Sequence, residues 1–202
     1  NTDEYDNIKS VVNDYLKEGI AHTLDETRNL SDSGQFEDIS LQQGIRQILY
    51  PYEEMEVLNP EWEVILKDII DSLFEQMSDE EYNILNEEFG TYMVSRAYEY
   101  RQLLEYLVFR YFAKSIYDYD FLGKCQMLVT NFFVIRQMDI IRWLDNHREY
   151  SFKDRMDVVH IFSRQVEYSE DNIENLYEDF IFDDIFKTDS LIAILWIDSE
   201  NI

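Results

Sequence analysis

Leu103-Leu104-Glu105-Tyr106-Leu107-Val108-Phe109-Arg110-Tyr111-Phe112 and, past a short polar break, Met127-Leu128-Val129-Thr130-Asn131-Phe132-Phe133-Val134-Ile135 decide the fold of this chain. In both runs apolar residues recur at i, i+3, i+4 and i+7 several times over, the signature of helices buried on nearly every face. The first run extends to Ile116. The second opens near Gly123 and continues through Ile140, Ile141, Trp143 and Leu144. Only Tyr117-Asp118-Tyr119-Asp120 separates them, and so short a link makes two helices antiparallel neighbours. The pattern predicts a buried antiparallel helical hairpin over residues 98–145 against which everything else packs. Arg101, Arg110, Arg136 and Arg142 interrupt it. An unpaired guanidinium in an apolar interior is costly, so each must reach an acid, snorkel to water, or meet an anionic ligand.

Composition agrees with helices. Five Gly and two Pro in 202 residues leave little room for the many tight turns of an all-β fold. The reading is a single all-α domain over 1–202, an irregular helical bundle, with 1–36 a loosely attached helix and loop. The formal net charge of −26 disfavours nucleic acid and anionic membrane surfaces, which need clustered Lys and Arg. The longest uncharged run, Cys125 to Ile135, is far short of the ~20 residues of a membrane span. No basic, apolar-cored leader opens the chain. It begins at Asn1 without Met, as an excised or processed fragment would. A lone cysteine excludes an internal disulfide and fits a reducing compartment.

Local signals divide the rest. Tyr5, Ile8, Val11, Val12, Tyr15 and Leu16 form one apolar stripe, and Ser31-Asp32-Ser33-Gly34 reads as a loop. A helix carrying Ile39, Leu41, Ile45, Ile48 and Leu49 should stop before Pro51. Asn59-Pro60-Glu61 reads as a helix start, and Ser78 with Glu81 as a capping box opening a helix that ends at Gly90. Ser151 and Ser169 are further N-caps, and the patch Leu191 to Trp196 should lie against the body.

Signals for chemistry are sparse. There is no His-Glu-x-x-His, glycine-rich phosphate loop or Gly-x-Ser-x-Gly elbow, and the three histidines are dispersed. Glu18 and His22, four apart, read as a surface pair. No metal site and no catalytic residue is assigned. The densest stretch is Phe162-Ser163-Arg164-Gln165-Val166-Glu167-Tyr168-Ser169-Glu170-Asp171-Asn172. Its plain reading is a helix–turn–helix stapled by an Arg164–Glu167 ion pair at i,i+3, with Ser169 capping the next helix and Asn172 at its N3 position.

Three blocks in order, Asn59-Pro60-Glu61-Trp62, Glu105 to Phe112 and Phe162 to Asn172, resemble the carboxy-terminal region of the flagellin lysine-N-methylase family. The resemblance spans roughly Leu58 to Asp179. It implies a bacterial, cytoplasmic enzyme that methylates lysines of flagellin or another protein. S-adenosylmethionine would be the methyl donor, and cysteines nearer the family's amino terminus would hold an iron–sulfur cluster. The chain departs from the family pattern twice. It lacks the clustered cysteines, so this fragment holds no cofactor alone, and Tyr168 stands where the family text has His. Arg110, Arg136, Arg164 and Glu167 are the candidate binding residues, joined by Ser169 and Asn172 of the same turn.

The first expectation is therefore the helical carboxy-terminal part of a protein-lysine methyltransferase, not catalytic as this fragment. The alternative is a non-catalytic ligand-sensing or protein-interaction domain with an apolar pocket between helices. A stand-alone acidic scaffold is the third. A Cys-rich segment upstream favours the first; a basic helix-turn-helix favours the second.

Overall fold

Local capping chemistry places most helix starts. In the computed structural model, which describes residues 39–200 and side chains up to Leu195, Ser40 caps α1 (Leu41–Glu53) by accepting from the Gln43 N–H. Asn59 accepts from the Glu61 N–H, and Pro60 fills the first position of α2 (Pro60–Ile69), which runs on as a π-helical turn, Ile70–Glu75. Ser78 and Glu81 form the reciprocal capping box of α3 (Asp79–Met93). A 3₁₀ turn, Val94–Arg96, leads into α4 (Ala97–Phe112). The short α5 (Ser115–Asp118) ends where Tyr119 takes a left-handed φ of 58°. Asp120 caps α6 (Phe121–Asp145), and Ser151 with Asp154 makes a second capping box for α7 (Phe152–Phe162). A π turn, Ser163–Glu167, follows; then come α8 (Glu170–Phe182), a 3₁₀ turn at Asp184–Phe186, and α9 (Thr188–Glu200). Every regular element among the described residues is helical, and the fold is all-α. The expected helix over Tyr5–Leu16, the Glu18–His22 pair, the Ser31–Gly34 loop and the Trp196 side chain lie outside the described residues.

The hairpin forms, and side-chain bonds fix its direction. Asn131 donates to the Tyr111 hydroxyl at 3.0 Å, and the Tyr100 hydroxyl donates to Asp139 at 2.8 Å. Residues late in α4 thus meet residues early in α6, and the reverse. Its two halves are unequal, however. α4 buries one stripe at i,i+4 spacing, Glu99, Leu103, Leu107 and Tyr111, while Tyr106, Val108 and Phe109 face out, Phe109 at 79% exposure. The expectation that this helix is wet on almost no face is therefore corrected. α6 shields it on one side only, whereas α6 itself packs against α1, α2, α4, α7, α8 and α9. On α6 the run from Phe133 to Ile141 is buried without a gap. The helix stops where His147 and Arg148 take left-handed φ angles and the Arg148 N–H returns to the Trp143 carbonyl at 2.7 Å.

Two expected helix ends are also overturned. α1 does not stop before Pro51 but carries it in its last turn. Proline there removes one backbone donor near a terminus already short of partners. Keeping the turn helical buries Tyr52 completely and brings its hydroxyl to Asn131 at 2.7 Å. α3 runs through Gly90 to Met93, because Phe89 and Met93 on either side are both buried in the core. Tertiary burial outweighs the ~1 kcal/mol cost of a helical glycine.

At the other end of the chain, Leu191, Ala193 and Ile194 lie against the body as expected. Gly44 allows the approach, since a Cβ there would sit 2.9 Å from Ile194 Cδ1. No helix among the described residues is long and apolar enough to cross a membrane. Phe133→Ala, in the core of α6, is expected to lower unfolding free energy by about 3–5 kcal/mol. Phe109→Ala, on the outer face of α4, should change it by no more than about 0.5 kcal/mol. Urea denaturation of the two variants checks this one-sided burial.

Candidate functional site

The turn that carries Arg164 and Glu167 is π-helical, and this decides where its side chains go. A π turn bonds i to i+5 and is wider than an α turn, so residues three apart no longer share a side. Arg164 and Glu167 accordingly do not pair, correcting the staple expected from α-helical spacing. Glu167 is buried and turned towards α4. The Tyr106 hydroxyl donates to its Oε2 at 2.7 Å, Ser163 Oγ donates to the same oxygen at 2.7 Å, and the Tyr111 hydroxyl lies 3.2 Å from Oε1. Arg110 Nε stands 3.9 Å away and supplies the compensating charge. Burial, reinforced by the Glu167 carboxylate, pushes the Tyr106 hydroxyl up to about 12 and raises Tyr111 as well. Both therefore remain proton donors to the carboxylate at neutral pH. From Tyr111 the bonds continue inward through Asn131 to Tyr52, joining the π turn, α4, α6 and α1.

Gln165 and Asn172 face the opposite way and clamp the loop before α2. Gln165 Oε1 accepts from the Leu58 and Asn59 N–H groups at 2.9 and 3.2 Å, and its Nε2 donates to the Glu56 carbonyl at 2.6 Å. Asn172 accepts from the Glu56 N–H and donates to the Glu56 and Gln165 carbonyls, all at 3.1 Å. Both side chains are fully buried. They satisfy backbone groups of a loop that has no helix or strand to do so. Ser169, buried beside them, caps α8 by accepting from the Asn172 N–H at 3.1 Å.

Arg136 lies apart from both groups. It is buried on α6 and donates to Asn86 Oδ1 at 2.8 Å. Arg101 instead lies in water, 3.3 Å from Glu105. The strongest buried charge centre was not anticipated at all. Asp139, with no exposed surface, pairs with Arg155 and accepts from the Tyr100 and Tyr150 hydroxyls. The Arg155 guanidinium lies over the Tyr100 ring at 4.3 Å and reaches Glu99 at 3.6 Å. Burial raises the Asp139 carboxyl, against the lowering pull of Arg155 and the two hydroxyls. The signal was present in sequence: an acid flanked by Met138, Ile140 and Ile141 on an apolar helix must find partners.

Arg164, exposed and without an ion pair among the described residues, lines a groove of about 640 Å³ between α2, α6 and α7. Ile65, Met138, Ile141 and Ile161 supply its apolar floor, and Glu61, Asp68, Asp145 and Asp157 its acidic rim, with Arg142 and His160 alongside. The groove has distinguishable ends. The Gln165 bonds to Leu58 and Asn59 set the start of α2 beside the end of α7, so Glu61 and Arg164 share one end. Asn146 donates to Asp154 at 3.0 Å, holding the end of α6 at the start of α7. Asp145 and Asp157 therefore lie towards the other end, and Asp68, about two helical turns along α2 from Glu61, lies on that side of the groove as well. Among the described residues no three His, Cys, Asp or Glu side chains converge as a metal ion requires. The six candidates thus separate: Arg110 with Glu167, Ser169 with Asn172, Arg136 with Asn86, and Arg164 in the groove.

Comparison with known proteins gives one result of substance. A family model described as the FliB lysine N-methylase C-terminal domain matches residues 1–194. No curated protein and no solved structure matches.

The clamp and the groove respond differently to truncation. Asn172→Ala strips partners from buried backbone groups and is expected to destabilise by about 2–3 kcal/mol. Arg164→Ala should stay within about 0.5 kcal/mol of the unsubstituted protein. Chemical denaturation of both variants measures the difference.

Proposed function

Because this chain belongs to the FliB lysine N-methylase C-terminal domain family, we propose that it is the helical, ligand-holding part of a bacterial, cytoplasmic lysine N-methylase acting on flagellin or another protein. In this reading the chain transfers no methyl group alone. The observation that carries it is the fate of the buried acids. Glu99, Asp139 and Glu167 each bond to partners that tie one helix or turn to another, Arg96 and Arg155, Tyr100 and Tyr150, or Tyr106, Tyr111 and Ser163. Groups so committed hold shape. A general acid or base needs instead to face the reacting atoms.

S-adenosylmethionine and an iron–sulfur cluster belong, in this reading, to the whole enzyme. The donor set here does not fit a cluster, which takes cysteine thiolates. Cys125 is the chain's one cysteine, half-buried, and burial with the nearby Asp120 raises its thiol. No step of the transfer is placed on this chain.

One observation favours a protein-interaction domain as a second reading. Phe109, Ile116, Tyr117, Tyr119 and Phe121 are exposed together around the link between α4 and α6. Apolar surface of that kind marks contacts with other chains.

Tritiated S-adenosylmethionine, flagellin and two proteins test the proposal. The full-length enzyme is expected to label flagellin, and the chain of residues 1–202 to leave it unlabelled. Labelling by the chain alone would overturn the non-catalytic role. A full-length protein that labels nothing, yet loses a bound protein partner on Phe109→Asp, would favour the second reading.

A further inference from the structure

We propose that the groove between α2, α6 and α7 seats an extended lysine-bearing peptide, the ammonium at the Asp68–Asp145–Asp157 end and Arg164 facing a peptide acceptor at the other. This rests on the reading of the chain as part of a lysine N-methylase. A groove of about 640 Å³ is within the range that encloses a small ligand or a few residues of a peptide. Its floor, Ile65 and Ile141 among others, suits the four-methylene stem of lysine, whose apolar length packs on such surface while its head stays wet.

Charge selects a cation for the acidic end. Four carboxylates face two guanidiniums in the groove, so its field stays negative. Asp68 and Asp145 are exposed and outside any ion pair among the described residues, while Asp157 is shared with Lys153 at 2.5 Å. The carboxylates frame the end without converging as metal ligands do. An ammonium, a compact and strongly hydrated point charge, has no fixed coordination geometry and needs no such convergence. Arg164 lacks an acid partner within the described residues, and its fork of donors is free to take a peptide carbonyl or carboxylate.

The test uses the chain of residues 1–202 and two fluorescein-labelled peptides of alanine, serine and glutamine. One carries a central lysine and the other norleucine at that place. Fluorescence anisotropy should show the lysine peptide binding about tenfold more tightly, since exposed ion pairs contribute modestly but add across the rim. Asp68→Asn with Asp145→Asn should erase that preference and leave the thermal midpoint unchanged. Should the pair of changes unfold the protein, salt replaces them: about 0.5 M salt should collapse the preference in the unsubstituted chain. Arg164→Gln should weaken both peptides equally. Equal binding of the two peptides, or a preference that survives both carboxamides or the added salt, overturns the proposal. Flagellin labelling by the full-length enzyme separates the two levels. Undiminished labelling by the Asp68→Asn, Asp145→Asn enzyme overturns the groove alone, whereas an unsubstituted enzyme that labels nothing counts against the family role and not against the peptide preference.

Discussion

The fold depends on one constraint, the need to satisfy polar groups on a helix that lies almost entirely out of water. α6 carries Gln126, Asn131, Arg136, Gln137 and Asp139 at buried positions. A buried polar group without a partner costs several kcal/mol in an apolar interior, so each dictates what must lie opposite. Gln126 donates to the Phe186 carbonyl, Asn131 meets Tyr111 and Tyr52, and Arg136 meets Asn86. Gln137 accepts from Tyr82, and Asp139 takes Tyr100, Tyr150 and Arg155. Apolar contact alone would let the surrounding helices slide past one another. These directional bonds assign α1, α3, α4 and α7 a register on α6.

The π turn at Ser163–Glu167 plays the corresponding part at the edge of the bundle. Within five residues it sends Glu167, held by the Ser163 hydroxyl, to α4, Gln165 to the loop before α2, and Arg164 to the groove. The clamp and the groove are therefore mechanically linked. Gln165 and Asn172 fix Glu56 to Asn59, Asn59 caps α2, and α2 forms one wall of the groove. A change in the buried clamp would reach the groove through the position of that wall, without touching any residue that lines it. Such turns recur at functional sites because one extra residue re-aims side chains that a regular helix would stack.

Aromatic residues connect the polar and apolar parts of this arrangement. Tyr52, Tyr100, Tyr111 and Tyr150 place rings in the core and bring their hydroxyls to Asn131, Asp139 or Glu167. Phe cannot do the second and Ser cannot do the first. These four Tyr are in this light a consequence of a core that holds carboxylates and amides. Tyr82 and Tyr92 repeat the pattern towards Gln137 and the Tyr150 backbone.

What the sequence by itself determined is what depends on neighbours within a few residues. Asn59, Ser78, Ser151 and Ser169 cap the helices they were read to cap, because a side-chain oxygen two or three residues from an unpaired N–H needs no tertiary help. The all-α class and the pairing of α4 with α6 follow in the same way, from period and link length. Pro51 and Gly90 do not end their helices, because distant contacts, Tyr52 with Asn131 and the burial of Phe89 and Met93, outweigh a local preference of a few kcal/mol. The Arg164–Glu167 pair failed for a different reason: its i,i+3 spacing promises contact only on an α-helix, and the turn is wider. Which acid meets which hydroxyl or guanidinium, and that α2, α6 and α7 leave a groove between them, were decided by tertiary structure alone. Partners such as Tyr106 and Glu167 lie far apart along the chain, and only packing brings them together.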